Sequence, residues 1–320
     1  MTDLSGEAAA FNSQIRERVA HGHVPDLRRV RDCDWFYANP WRRKAYAALD
    51  FGYLFERVNA AILAHAPSSG ERLRVLEVGS GPGWLSLELA RAGHDVTGID
   101  VANDAVAVAR EFADSDPWKA ERGPLRYLVD DFLATRALAA VSFDAVVFVG
   151  ALHHFPNQGA VGRRVVDLLR PGGIVVAHEP TRDRVTEGLA EFGLLVRVLL
   201  AAGGGWFDEL SVPGSAAEKE RLIAKLKRDI EFVDEGGDKV QSPNDNEAGY
   251  AAMHAMLSTG FDTILEEDTF AFFHEVIGGL RFDEATNAKL ARYLRDADTS
   301  LVKSGILPAY EFLYVGRRRG

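Results

Sequence analysis

The chain has 320 residues, 47% hydrophobic and 26% charged, a balance that fits one large globular core with room for an appended piece. Its formal net charge of −10 argues against a nucleic-acid substrate, which calls for a basic face. A single cysteine, Cys33, excludes an internal disulfide and a cysteine-rich metal site, and the absence of a long apolar run or apolar leader makes a cytoplasmic protein without membrane contact the expectation.

Residues 7–20 read as a short helix, and Phe51, Leu54, Phe55, Val58, Ile62 and Leu63 predict a stronger one over residues 51–66. Between them, Trp35, Phe36, Tyr37 and Trp41 are followed by Arg42 and Arg43. This density fits either an aromatic plug beneath extra helices or a lid that brings rings and cations to an acceptor pocket. Residues 73–78 are an apolar strand, and Gly79, Ser80, Gly81, Pro82 and Gly83 form a loop that opens a helix at Trp84. Alternate glycines let the backbone turn and approach a ligand. Glu77 places a carboxylate at the strand end, where an ammonium is better received than a pyrophosphate. A dinucleotide fingerprint would need glycine where this chain has Trp84.

Residues 95–100 predict a second strand closed by Asp100, about 20 residues beyond the loop, the place of a ribose-binding acid or of a helix cap. A helix over 101–112 follows, then a strand over 125–132 ending in Asp130, Asp131 and Phe132. Next come a strand over 143–150, the sequence Ala151-Leu152-His153-His154-Phe155, a turn at 169–173 and a fifth strand over 174–177 that leads into His178 and Glu179. Residues 181–245 exceed a simple crossover. They contain helices over 187–202 and 216–232, a Gly203-Gly204-Gly205 break that reads as a hinge or plain connector, Trp206, Phe207 and a polar loop. A helix over 247–258, a strand over 262–267, a helix over 284–302 and a strand over 309–316 complete the chain.

Glu77-x-Gly79-x-Gly81-x-Gly83, with Asp100, Asp130-Asp131-Phe132, Leu152-His153-His154-Phe155 and Leu169-Arg170-Pro171-Gly172-Gly173, resembles the motif series of class I S-adenosylmethionine-dependent methyltransferases. The resemblance spans residues 73–180. It implies an α/β Rossmann-like sheet of seven mostly parallel strands, order 3-2-1-4-5-7-6, with helices on both faces. It further implies a glycine loop (Gly79, Ser80, Gly81, Gly83) that passes the methionine part of S-adenosylmethionine, with Glu77 beside the amino group. Asp100 with Val101 would meet the ribose, and Asp130 or Asp131 with Phe132 the adenine. Gly150 completes the cofactor set, and S-adenosylhomocysteine is the product. The organisation expected is an N-terminal helical and aromatic lid (1–70), a cofactor-binding core (71–180 and 246–320) and a helical cap insertion (181–245) over the carboxyl ends of the strands.

Methyl transfer asks the protein to align acceptor and methyl group and, for a hydroxyl acceptor, to remove a proton. His153, His154, His178 and Glu179 are the candidates, whereas His254 and His274 read as packed or surface residues. No convincing metal-ligand set is legible, so no metal is expected. Trp35, Phe36, Tyr37, Trp41, Arg42, Arg43, Trp206 and Phe207 are the candidate acceptor-binding residues, and they point to a partly apolar small molecule, such as a natural-product scaffold of secondary metabolism, methylated on O, N or C. The leucine-rich 189–200 segment suits a homodimer interface as well as a lid. A protein that binds the cofactor without methylating, or less readily a nicotinamide oxidoreductase, is the alternative.

Overall fold

Four central strands carry apolar residues on both faces. In β1 (Arg74–Val78), β4 (Phe143–Val149), β5 (Leu169–Pro180) and β7 (Glu311–Arg318), successive apolar residues enter opposite clusters. Val75, Ala145, Val147, Ile174, Val176, Leu313 and Val315 face one way. Leu76, Val78, Val146, Phe148, Val175, Ala177, Phe312 and Tyr314 face the other. A sheet apolar on both faces must be covered on both. The computed structural model describes residues 4–20, 26–28, 44–67, 72–138 and 142–319, and there α3 (Phe51–His65) and α4 (Trp84–Arg91) supply apolar side chains to the first cluster. On the second face lie α6 (Gln158–Leu168) and α9 (Tyr250–Gly260).

With β2 (Asp95–Asp100), β3 (Leu125–Val129) and β6 (Phe261–Thr269), the strand order is β3-β2-β1-β4-β5-β7-β6. β7 runs antiparallel to both of its neighbours and the remaining pairs are parallel. The expected order is thus the observed one. The reversal between β1 and β4, whose ends part to either side, opens the crevice in which such sheets bind ligands.

Differences from the sequence expectations have local causes. β3 stops at Val129, so Asp130, Asp131 and Phe132 lie in the loop beyond it. β5 begins at Leu169, taking in the expected turn, with Gly172 at φ +76°. α9 starts at Tyr250 because both Asp183 carboxylate oxygens accept from Tyr250 N at 3.1 Å. The helix α6, which apolar spacing did not flag, is begun by Asn157, whose side chain accepts from Ala160 N.

α7 (Glu187–Ala202) and α8 (Ala216–Glu231) form an apolar cluster with α10 (Phe273–Ile277), α11 (Glu284–Lys303) and Tyr46 of α2 (Lys44–Ala47). α1 (Ser5–Ala20) lies instead on α5 (Asn103–Asp114), Ile15 packing on Ala102 and Ala105. No helix among the described residues is long and apolar enough to cross a membrane.

Candidate functional site

Three glycines at the end of β1 adopt left-handed conformations, with φ +73° at Gly79, +49° at Gly81 and +74° at Gly83. Their surroundings differ. A Cβ at Gly79 would sit 2.5 Å from that of Ala151, and one at Gly83 would meet Tyr127 and Ala109, whereas one at Gly81 would have no protein atom within 4 Å. Gly79 and Gly83 are therefore needed by the fold as well, while Gly81 keeps space open for something else.

That space is a cavity of about 390 Å³, a size suited to a small-molecule ligand. Its floor comprises Glu77 and the glycine loop, Asp100 and Val101 from the end of β2, Asp130, Asp131 and Phe132, and Val149, Gly150 and Ala151 beyond β4. Every cofactor residue expected from the sequence except Gly83, which underlies the loop, is in its wall. Asp100 ties two of these segments together, Oδ2 accepting from Gly81 N and Oδ1 from Ala102 N, both at 2.8 Å. It thereby serves the start of α5 and the loop at once, with lone pairs left for a ligand. Glu77 accepts from Ser86 Oγ, and burial pushes its carboxyl up to about 8. Ser80 Oγ is buried without a hydrogen-bond partner. An empty-sided glycine, an orphaned hydroxyl and a set of carboxylates fit a ligand rich in hydroxyls and amino groups.

The cavity roof is α1, which contributes Phe11, Gln14, Ile15 and Arg18, and the side wall includes Phe51 and Trp84, in edge contact at 4.8 Å. Sequence reading gave none of these residues a place in the site. An amphipathic signal near the start of the chain carries no mark of what it covers. α1 is fastened through Glu7, whose carboxylate accepts from Ser242 Oγ and Asn244 N, both at 2.9 Å, and lies 2.9 Å from His154 Nδ1.

The four candidate catalytic residues do not all face the cavity. Only His154 lines the cavity. His153 is buried, its Nδ1 2.7 Å from Glu179 Oε2. Glu179 also accepts from Ala151 N and Leu152 N at 3.0 and 2.9 Å, and although its burial opposes ionisation, these donors and His153 hold its carboxyl below the ordinary range. Glu179 thus positions the Ala151–His154 turn. His178, kept low by burial, belongs to a separate polar cluster beside Glu311 and Thr269, where His274 lies between Asp50 and Glu311. His274 is thus a packed histidine with a carboxylate at each ring nitrogen.

Trp206 and Phe207 are not in the cavity wall. Trp206 covers Gly279 and bridges to Leu280, with Phe207 5.0 Å from it. Trp35, Phe36, Tyr37, Trp41, Arg42 and Arg43 lie outside the described residues.

Comparison with known proteins agrees with this geometry. Residues 76–177 match the methyltransferase domain family. The chain is 35% identical over 146 residues to ubiquinone biosynthesis O-methyltransferase of Xanthomonas axonopodis pv. citri (strain 306), an alignment covering 45% of this chain and 59% of that protein. It is 38% identical over 158 residues to the enzyme of the same name from Albidiferax ferrireducens, covering 49% and 60%. The chain therefore spans about three-fifths of the length of these curated relatives. In fold it is similar to magnesium protoporphyrin IX methyltransferase from Synechocystis PCC 6803 with bound S-adenosylhomocysteine, at TM-score 0.53 and 16% identity, covering 99% of this chain and 100% of that one.

Residues 76–177 thus match a methyltransferase domain, and the sheet order and glycine loop are consistent with that match.

Proposed function

We propose that this protein transfers the methyl group of S-adenosylmethionine to a small-molecule acceptor. The observation that carries the reading is one cavity that joins the glycine loop and its carboxylates to an aromatic wall under a helical roof. Glu77 would receive the ammonium, Asp100 the ribose hydroxyls, Asp130 or Asp131 the adenine amino group, and Phe132 the ring face. When bound, the cofactor supplies a methyl carbon activated by a sulfonium. The chain's own residues then have to orient the acceptor and exclude water. Phe11, Phe51, Trp84 and Phe155 suit an apolar or aromatic body, and Arg18 and His154 offer polar contacts to its oxygens or nitrogens. This wall supports an acceptor of the natural-product kind, with O-methylation the first choice because the relatives' names specify it. Leu195 and Leu199, exposed on α7, support association with a second copy.

The test is to incubate the protein with S-adenosylmethionine and panels of phenols, hydroxylated polycycles and amines, and to measure S-adenosylhomocysteine formed. Acceptor-dependent turnover is expected. Tight binding of the cofactor product with no turnover on any panel would favour a non-methylating role.

A further inference from the structure

We propose that His153, His154 and Asp245 form a binding site for one divalent transition-metal ion in the wall of the cavity. One ligand atom from each of these side chains lies within 4.8 Å of the others. The three side chains are already organised by charged partners. Both histidines are engaged at Nδ1 by a carboxylate, His153 by Glu179 at 2.7 Å and His154 by Glu7 at 2.9 Å. Such carboxylate partners fix the tautomer that leaves Nε2 free to coordinate. Both Nε2 atoms are buried without a hydrogen-bond partner, as are both oxygens of Asp245, and His153 and Asp245 are 2% and 0% exposed. Buried groups of this kind ordinarily find partners, so His153 Nε2 and the Asp245 oxygens, with a His154 ring nitrogen within 4.8 Å, suit a shared one.

Distance and charge agree. His153 Nε2 and Asp245 Oδ1 stand 3.3 Å apart. Two atoms each about 2.1 Å from a common ion, at roughly 90–110° to one another, are separated by about 3.0–3.4 Å. Glu7, Glu179 and Asp245 bring three buried carboxylates, while Arg182, with Nη1 3.8 Å from Asp245 Oδ2, offsets one. A divalent ion would balance the other two. Two imidazoles and one carboxylate select a borderline ion such as zinc, cobalt, manganese or iron over magnesium or calcium, which prefer oxygen. Because His154 lines the cavity, open coordination positions would face a ligand there.

The inference does not rest on the methyl-transfer reading, and its readout is metal binding rather than turnover. The chelator-stripped full chain is titrated with Co²⁺, followed by visible absorption and by elemental stoichiometry. Wild type is expected to bind one equivalent with absorption bands of a low-symmetry site, and Zn²⁺ should abolish those bands. His154→Gln and Asp245→Asn should remove them, with folding checked by circular dichroism. Glu179→Gln should weaken binding by about 10- to 100-fold through its effect on His153. Should Asp245→Asn fail to fold, His154→Gln, at the cavity surface, decides. No Co²⁺ uptake by wild type, or uptake unchanged in His154→Gln, overturns the proposal. A separate titration with S-adenosylhomocysteine tests the cofactor reading.

Discussion

Replacing single glycines of the loop separates what the fold needs from what the ligand needs. At Gly81, φ is +49° and an added Cβ meets no protein atom within 4 Å. Gly81→Ala should therefore cost only the left-handed backbone, about 1–2 kcal/mol, and lower the melting temperature by a few degrees. At Gly79, φ is +73° and the added Cβ would stand 2.5 Å from Ala151 Cβ, a separation real side chains do not adopt. Relief requires shifting the Ala151–His154 turn, which Glu179 pins, so about 1–3 kcal/mol of overpacking adds to the backbone cost. The total for Gly79→Ala is roughly 2–5 kcal/mol. Gly81→Val projects further into the open space, and it should abolish S-adenosylhomocysteine binding while the protein stays folded. Calorimetric titration with that ligand and thermal unfolding of all three variants make the comparison. Folded Gly81→Val with micromolar affinity retained would show that the ligand does not lie against the loop. Equal destabilisation at the two positions would refute the packing argument.

Asp100→Ala should weaken S-adenosylhomocysteine by roughly 1–3 kcal/mol, about 5- to 150-fold in Kd, and also lower stability because Gly81 N and Ala102 N lose their acceptor. Lower stability with unchanged Kd would confine Asp100 to holding the loop. Burial alone would lower the titration of His274, but Asp50 and Glu311 hold it well above its ordinary 6.5. Its contribution to stability is complete below 6.5 and is lost as pH rises through the elevated native value, so unfolding free energy measured from neutral to alkaline pH should fall more steeply in wild type than in His274→Gln. Parallel slopes would refute the ion-pair account. Trp206→Ala should uncover Gly279 and cost about 2 kcal/mol, less than a fully buried tryptophan, with Kd for S-adenosylhomocysteine unchanged. A large change in that Kd would place Trp206 in communication with the cavity.

The sequence by itself determined the sheet and which residues would gather at the cavity floor. Period-two apolar runs define strands, and alternate glycines between a strand and a helix, with acids at successive strand ends, bring Glu77, Gly81, Asp100 and Asp130 to one edge of a parallel sheet. Each signal is local, and the regular topology does the rest. Only the tertiary structure decided the roof and the polar corner. Glu7 and Asp245 are separated by most of the chain, one in an unremarkable terminal helix and the other in a polar loop, and nothing in either neighbourhood marks a meeting at His153 and His154. The aromatic pair Trp206 and Phe207 points the same way. Its composition suited an acceptor pocket, yet Trp206 packed over Gly279 with Phe207 beside it. A motif written in adjacent residues survives reading as text, whereas a contact between distant segments is fixed only when the core brings their backbones together.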